Sequence, residues 1–332
     1  MYQRHFVYST ELQMFRAIKL LYLDFVAFLR QDFKPLPYIY TFTVIILALV
    51  FVYTTKLGYA IGRSYAPTPN HFVNGVLMFS GLYFLIAVPV LIMKGQYKSI
   101  PKLHFYLKGL VLTMAIGITY AFSWRDYVDL SSFSPQEKVY LGKFLWCNRG
   151  LVIELPLLLL LRFCVDRQQN GFYGLCRGNH HIKAYLWLFV LVLPILIGVS
   201  FTHDFQTWYP KGKVWLYGDG LFGYPAWANL LAFELAYLAR FLIVELVFRG
   251  ALVIGMEKAI ARSAVLPMVA VYVALHFNKP VLEATSAIVG GLVLGALAYQ
   301  TKHIWGGVII HISIAFSIEM VRLVQYYVWG WK

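Results

Sequence analysis

The chain has 332 residues, of which 60% are hydrophobic and only 13% charged. A water-soluble domain carries roughly a quarter charged residues, so this composition excludes an ordinary soluble enzyme and points to the bilayer. The formal net charge of +14 is spread between apolar runs rather than gathered in one basic module, so the expected anionic partner is membrane lipid and not nucleic acid.

Residues 1–36 interleave charged with aromatic and aliphatic positions and read as an amphipathic segment on the membrane surface, ended by Pro35 and Pro37. No cleavable signal peptide is expected there, because no compact apolar core ends in small residues. Apolar runs at 38–60, 72–94, 104–122, 143–163 and 184–202 are long enough to span, giving a 37–225 region of about five helices. A second set at 226–250, 264–277, 283–301 and 304–328 forms a distinct 226–328 core. The fold expected is an all-α polytopic bundle of about eight or nine transmembrane helices, with 251–262 either extending the preceding helix or lying at the interface. Tyr326, Tyr327, Trp329 and Trp331 read as interfacial anchors.

Loop charge gives an orientation. The connections near 94–108 and 162–183 are rich in Lys and Arg, whereas those near 123–142 and 203–225 are close to balanced. The amino terminus and the two basic loops are therefore expected in the cytoplasm. Cys147, Cys164 and Cys176 form no disulfide framework, and Cys176 with His180 and His181 matches no standard zinc spacing.

The chemistry-bearing residues concentrate in the carboxyl-terminal third. Glu245 and Arg249 stand four residues apart in an apolar run, which on a helix puts them on one face within pairing distance. Ionised side chains at such depth are expensive and persist where they pair or react. Glu234, eleven residues earlier, falls in the same narrow arc, about 16 Å up the axis, while Arg240 projects to the other side to snorkel or meet another helix. His276 closes one short apolar helix and His311 lies early in the last span; two histidines on separate helices beside a Glu/Arg pair can hold a water or a metal. A structural ion pair that fixes helix packing is the plainer reading of Glu245 and Arg249 taken alone.

Arg149-Gly-Leu-Val-Ile-Glu154-Leu echoes Arg240-Phe-Leu-Ile-Val-Glu245-Leu, by duplication or by chance in so apolar an alphabet. Gly291 and Gly295 form a small-residue stripe for close helix packing.

Glu245-x-x-x-Arg249-Gly250, an aromatic ahead of His276, and His311 late in the chain resemble the CPBP family, which comprises CAAX prenyl endopeptidases of the Rce1 type and bacteriocin-processing or immunity proteins. The resemblance covers about residues 226–328 and implies an intramembrane endopeptidase, here in a bacterial cytoplasmic membrane, acting on a peptide or protein substrate that can be lipidated. It assigns catalysis to Glu245, Arg249, His276 and His311. It also leaves two mechanisms open, a zinc ion held by His276, His311 and Glu245, or a metal-free glutamate base.

Two positions depart from the family pattern. Val244 replaces the first of the usual paired glutamates, and Ala315 replaces the usual asparagine four residues after the last histidine. Losing an oxyanion donor alone costs about 10²–10³ in rate. Glu283, Asn278 and, more remotely, Glu234 are the candidate supporting residues, although a helix-start carboxylate and a turn asparagine need no function. Two alternatives to peptidase activity stand: a non-catalytic scaffold, immunity factor or complex subunit of the same fold, and an ion- or proton-coupled transporter.

Overall fold

A computed structural model describes the chain apart from residues 1, 57–69, 101, 125–126, 168–170, 177–181, 214–219, 278 and 331–332, with side chains from residue 14 onward. The expected site residue Asn278, and His180 and His181, lie outside the described residues.

The architecture is an all-helical bundle. α1 (Tyr2–Asp32) and α2 (Pro35–Thr54) are separated at Phe33 and Lys34, where the prolines open the next helix rather than break the first. α3 (His71–Met93), α4 (Leu103–Ala121), α5 (Pro135–Cys164) and α6 (Ile182–Val199) follow. Ser134 and Glu137 form a reciprocal capping box that starts α5. After the short α7 (His203–Trp208), α8 (Ala226–Glu245) runs directly into a π-helical stretch, Leu246–Ile254. α9 (Glu257–Ile260) and a tight turn at Ala261–Ala264 lead to α10 (Val265–Ala274), α11 (Val281–Thr301) and α12 (Trp305–Tyr327).

Seven of these helices, α2 to α6, α11 and α12, are long and apolar enough to cross a membrane. The expected total of about eight or nine also included α8 and α10. α8 has the length but carries Glu234, Arg240 and Glu245. α10 has only ten residues, or about 15 Å, half a bilayer. Every residue of α10 is buried, as suits a helix apolar on all sides, and α2, α3 and α11 enclose it. The uncertain 251–262 region divides at Gly255: the π stretch ends before it, and α9 turns away after Met256.

Close approach uses small residues. Gly75 and Gly117 bring α3 and α4 into backbone contact, and a Cβ on either would meet the other's main chain. A Cβ on Gly291 would lie 3.2 Å from Tyr272, and one on Gly295 would collide with Met268, so the stripe on α11 packs against α10. α1 lies against α6 and α11, with Phe28 fully buried edge-on to Tyr299.

Helix ends gather on two faces. On one, Lys94 meets Asp32 at 2.6 Å, Ser263 meets Gln96 at 2.9 Å, and Lys108 joins Asp166 (2.5 Å) to the Gly255 carbonyl (2.7 Å). On the other, Tyr53 donates to the Lys279 carbonyl at 2.5 Å, Tyr140 to that of Asn229 at 2.9 Å, and Lys143 to that of Lys211 at 3.0 Å. The second face holds the candidate site.

Candidate active site

Glu245 ends α8, and its carboxylate is completely enclosed. The π stretch that follows widens the helical turn, with Gly255 N–H reaching back five residues to the Gly250 carbonyl at 2.7 Å. π turns of this kind recur at functional sites. The stretch is tightly seated, since a Cβ on Gly250 would lie 2.6 Å from the Tyr173 carbonyl oxygen. Arg249 remains within one turn of Glu245, with Nη1 3.0 Å from Oε1, and its guanidinium lies 4.2 Å from the centre of the Tyr272 ring.

The same Glu245 oxygen receives Nδ1 of His311 at 2.8 Å. A neutral imidazole that donates from Nδ1 presents a lone pair at Nε2, and the Tyr272 hydroxyl meets that nitrogen at 3.2 Å. Carboxylate, imidazole and phenol thus form a chain across α8, α12 and α10. Phe241 packs against the His311 ring at 4.6 Å and helps fix its plane.

His276 sits just beyond α10 with Nδ1 2.9 Å from the Tyr272 carbonyl. A carbonyl can only accept, so in the neutral ring the proton is on Nδ1 and Nε2 is an acceptor without a hydrogen-bond partner among the described residues. Tyr272 therefore touches both histidines, one through its hydroxyl and one through its main chain.

These groups border a cavity of about 470 Å³. His276, His311 and Tyr272 line it; Glu245 and Arg249 do not, and stand one layer behind. Val244 is in the wall. The position where the family usually carries its first glutamate therefore faces the cavity with an isopropyl group. Ala315 is buried with Phe233 and Tyr237 and borders no part of the cavity.

Glu283 accepts from the Tyr209 hydroxyl (2.8 Å) and pairs with Lys279 (2.8 Å), so it holds two wall residues without entering the wall itself. Glu234 is away from the cavity, beside Glu319 of α12. Its shared arc with Glu245 does hold, because both carboxylates face α12. Arg240, on another side of α8, meets α5: its guanidinium lies 3.9 Å from the centre of the Trp146 ring. Arg149 lies 5.3 Å from the centre of the same ring, so the arginines of the two echoed segments converge on one indole.

Several residues at the site were not singled out from the sequence. Glu319 accepts the Lys211 N–H at 2.9 Å with each oxygen, and Arg322 holds the carbonyls of Gln206 and Tyr209, each at 3.2 Å. This clamp lays the segment before α8 over the cavity, with Trp208, Tyr209 and Lys211 in its wall. Burial pushes the Lys211 ammonium well below its ordinary pKa, while the nearby Glu283 and Glu319 carboxylates act in the opposite direction. Glu319 and Arg322 carried the signal that exposed Glu245, an ionisable group in an apolar span; Lys211 carried none.

A zinc centre needs three or four protein ligands. Glu245 is committed to His311 and Arg249 behind the wall, which leaves two histidine nitrogens, and no group of three His, Cys, Asp or Glu suited to a metal occurs among the described residues. Among the described residues this donor set is one ligand short of a zinc centre.

Residues 225–317 match the family model described as Rce1-like, Type II CAAX prenyl endopeptidase Rce1-like. No curated protein and no solved structure matches the chain. The matched segment begins at the foot of α8, ends midway along α12, and contains Glu245, Arg249, Tyr272, His276 and His311. This is an integral membrane protein, and residues 225–317, the helical core around that cluster, are similar to Rce1-like Type II CAAX prenyl endopeptidases.

Proposed function

We propose that the protein is a membrane endopeptidase that hydrolyses a peptide bond in or beside the bilayer, without a metal. The observation that carries this reading is the convergence of His276, His311 and Tyr272 on one cavity, with Glu245 bonded directly behind His311.

His276 Nε2, an acceptor with no partner among the described residues, takes a proton from the attacking water as its oxygen bonds to the substrate carbonyl carbon. The carbon–nitrogen bond then breaks and the leaving amine recovers that proton. Glu245 keeps the His311 tautomer fixed, and His311 in turn aims the Tyr272 hydroxyl; this is the orienting logic of a carboxylate behind an imidazole. Arg249 pairs with Glu245 at 3.0 Å behind the cavity wall and holds the carboxylate in place.

The test is cleavage of apolar peptides, with and without a prenyl group, by purified protein in detergent. His276→Ala and His311→Ala should lose turnover by about 10²-fold or more while staying folded. Variants that cut as well as the parent would remove the catalytic assignment.

One observation favours a second reading. Val244 puts an inert side chain where the family's water-activating carboxylate usually stands, and Ala315 offers no oxyanion donor. A scaffold of this fold, working through a bound partner, would show no turnover and would co-purify with that partner at fixed stoichiometry.

The substrate-facing side is inferred from charge. With the Lys-rich loops and amino terminus in the cytoplasm of a bacterial cell, the cavity end walled by Trp208, Tyr209, Lys211 and Lys279 lies toward the far side of the inner membrane.

A further inference from the structure

Among the described residues, the cavity wall contains four basic side chains, Arg149, Lys211, Arg240 and Lys279, and no aspartate or glutamate. Two of the four are already engaged: Lys279 pairs with Glu283, and Arg149 donates to the carbonyls of Tyr120 and Phe122. Lys211 and Arg240 are different. Among the described residues neither has a carboxylate within ion-pair distance. Each instead lies over an indole, Lys211 at 3.6 Å from the centre of Trp208 and Arg240 at 3.9 Å from that of Trp146.

Lys211 is held there. Glu319 and Lys143 fix its N–H and carbonyl, and Arg322 fixes the carbonyls just before it. The nearby carboxylates are otherwise committed, Glu283 to Tyr209 and Lys279, and Glu319 to the loop backbone. An uncompensated cation in a low-dielectric wall is costly, and a bound anion offsets that cost. A phosphoryl group carries up to two charges and three acceptor oxygens, which suits a guanidinium fork and an ammonium lining one cavity better than a single-charge carboxylate does. Trp146, Trp208 and Phe241 give the same cavity apolar walls for whatever bears the phosphate.

We propose that this cavity binds a phosphate group, gripped by Arg240 and Lys211, as part of a lipid headgroup or as free phosphate. The proposal does not depend on peptidase activity, since it concerns binding by two residues outside the catalytic set.

The test is calorimetric titration of the purified full-length protein in phosphate-free buffer with inorganic phosphate and with pyrophosphate. A second arm is native mass spectrometry after reconstitution in phosphatidylcholine discs with and without phosphatidic acid. Saturable binding of either probe is expected, at least tenfold weaker in Arg240→Gln and in Lys211→Gln, partly rescued by Arg240→Lys, and unchanged in Lys213→Gln, which lies outside the wall. Binding of inorganic phosphate alone assigns a free anion, and retention of phosphatidic acid alone assigns a lipid headgroup. Absence of saturable binding in both arms, or binding that the Arg240 and Lys211 variants leave intact, overturns the proposal. Thermal unfolding of each variant separates loss of binding from loss of fold.

Discussion

Gly307 leaves open the space that the Glu245 carboxylate fills. A Cβ at that position would collide with Oε2, and Gly307 lies one turn before His311 on the same face of α12. The dyad thus depends on a missing side chain as much as on the two that are present. Gly307→Ala is expected to push the carboxylate off His311. Overpacking of this kind costs about 1–3 kcal/mol, read as a lower unfolding temperature in detergent, and any peptidase turnover should fall with it. A variant with unchanged stability and turnover would mean that the carboxylate has room elsewhere.

Removing one member of the buried pair should be worse than removing both. Glu245→Gln leaves the Arg249 guanidinium charged and enclosed, and breaking such a pair costs about 3–5 kcal/mol. Glu245→Leu combined with Arg249→Leu should recover a good part of that loss while remaining inactive. Denaturation midpoints of Glu245→Leu, Arg249→Leu and the double variant measure the coupling; strictly additive losses would argue that the two side chains do not interact.

Val244 is the position at which function can be gained. It faces the cavity, with basic side chains in the same wall, so a carboxylate introduced there has both space and countercharge. Val244→Glu is expected to raise peptide hydrolysis by about 10²-fold and to leave the unfolding temperature nearly unchanged. A folded variant with no gain would support the scaffold reading.

Cysteine accessibility tests the two-faced arrangement. With Cys147, Cys164 and Cys176 replaced by serine, a single cysteine at Lys98 and one at Asp129 should react from opposite sides of the membrane. An impermeant thiol reagent added to intact cells is expected to label position 129 and spare position 98. The reverse pattern would turn the cavity toward the cytoplasm.

Much of the bundle was legible in the chain. Run length placed α2 to α6, α11 and α12 to within a few residues, except the end of α2 and the start of α5, because water cannot satisfy backbone groups in lipid and the helix is the local remedy. The Glu245–Arg249 pair was legible for the same kind of reason, being set by helical repeat alone. α10 was harder to place as a span: a ten-residue apolar stretch looks like half a crossing, and only enclosure by its neighbours shows where it ends.

What the sequence determined by itself was therefore local: which segments are helical, which carry intramembrane charge, and which side chains share a face. Which of those side chains meet was decided only in the tertiary structure. Glu245 bonding His311 across 66 residues, the clamp of Glu319 on Lys211, and Arg149 and Arg240 flanking Trp146 depend on helix pairing that no spacing encodes. Tertiary packing also put Val244 rather than Glu245 on the cavity wall, because adjacent residues on a helix point about 100° apart and the neighbouring helices select which direction is open.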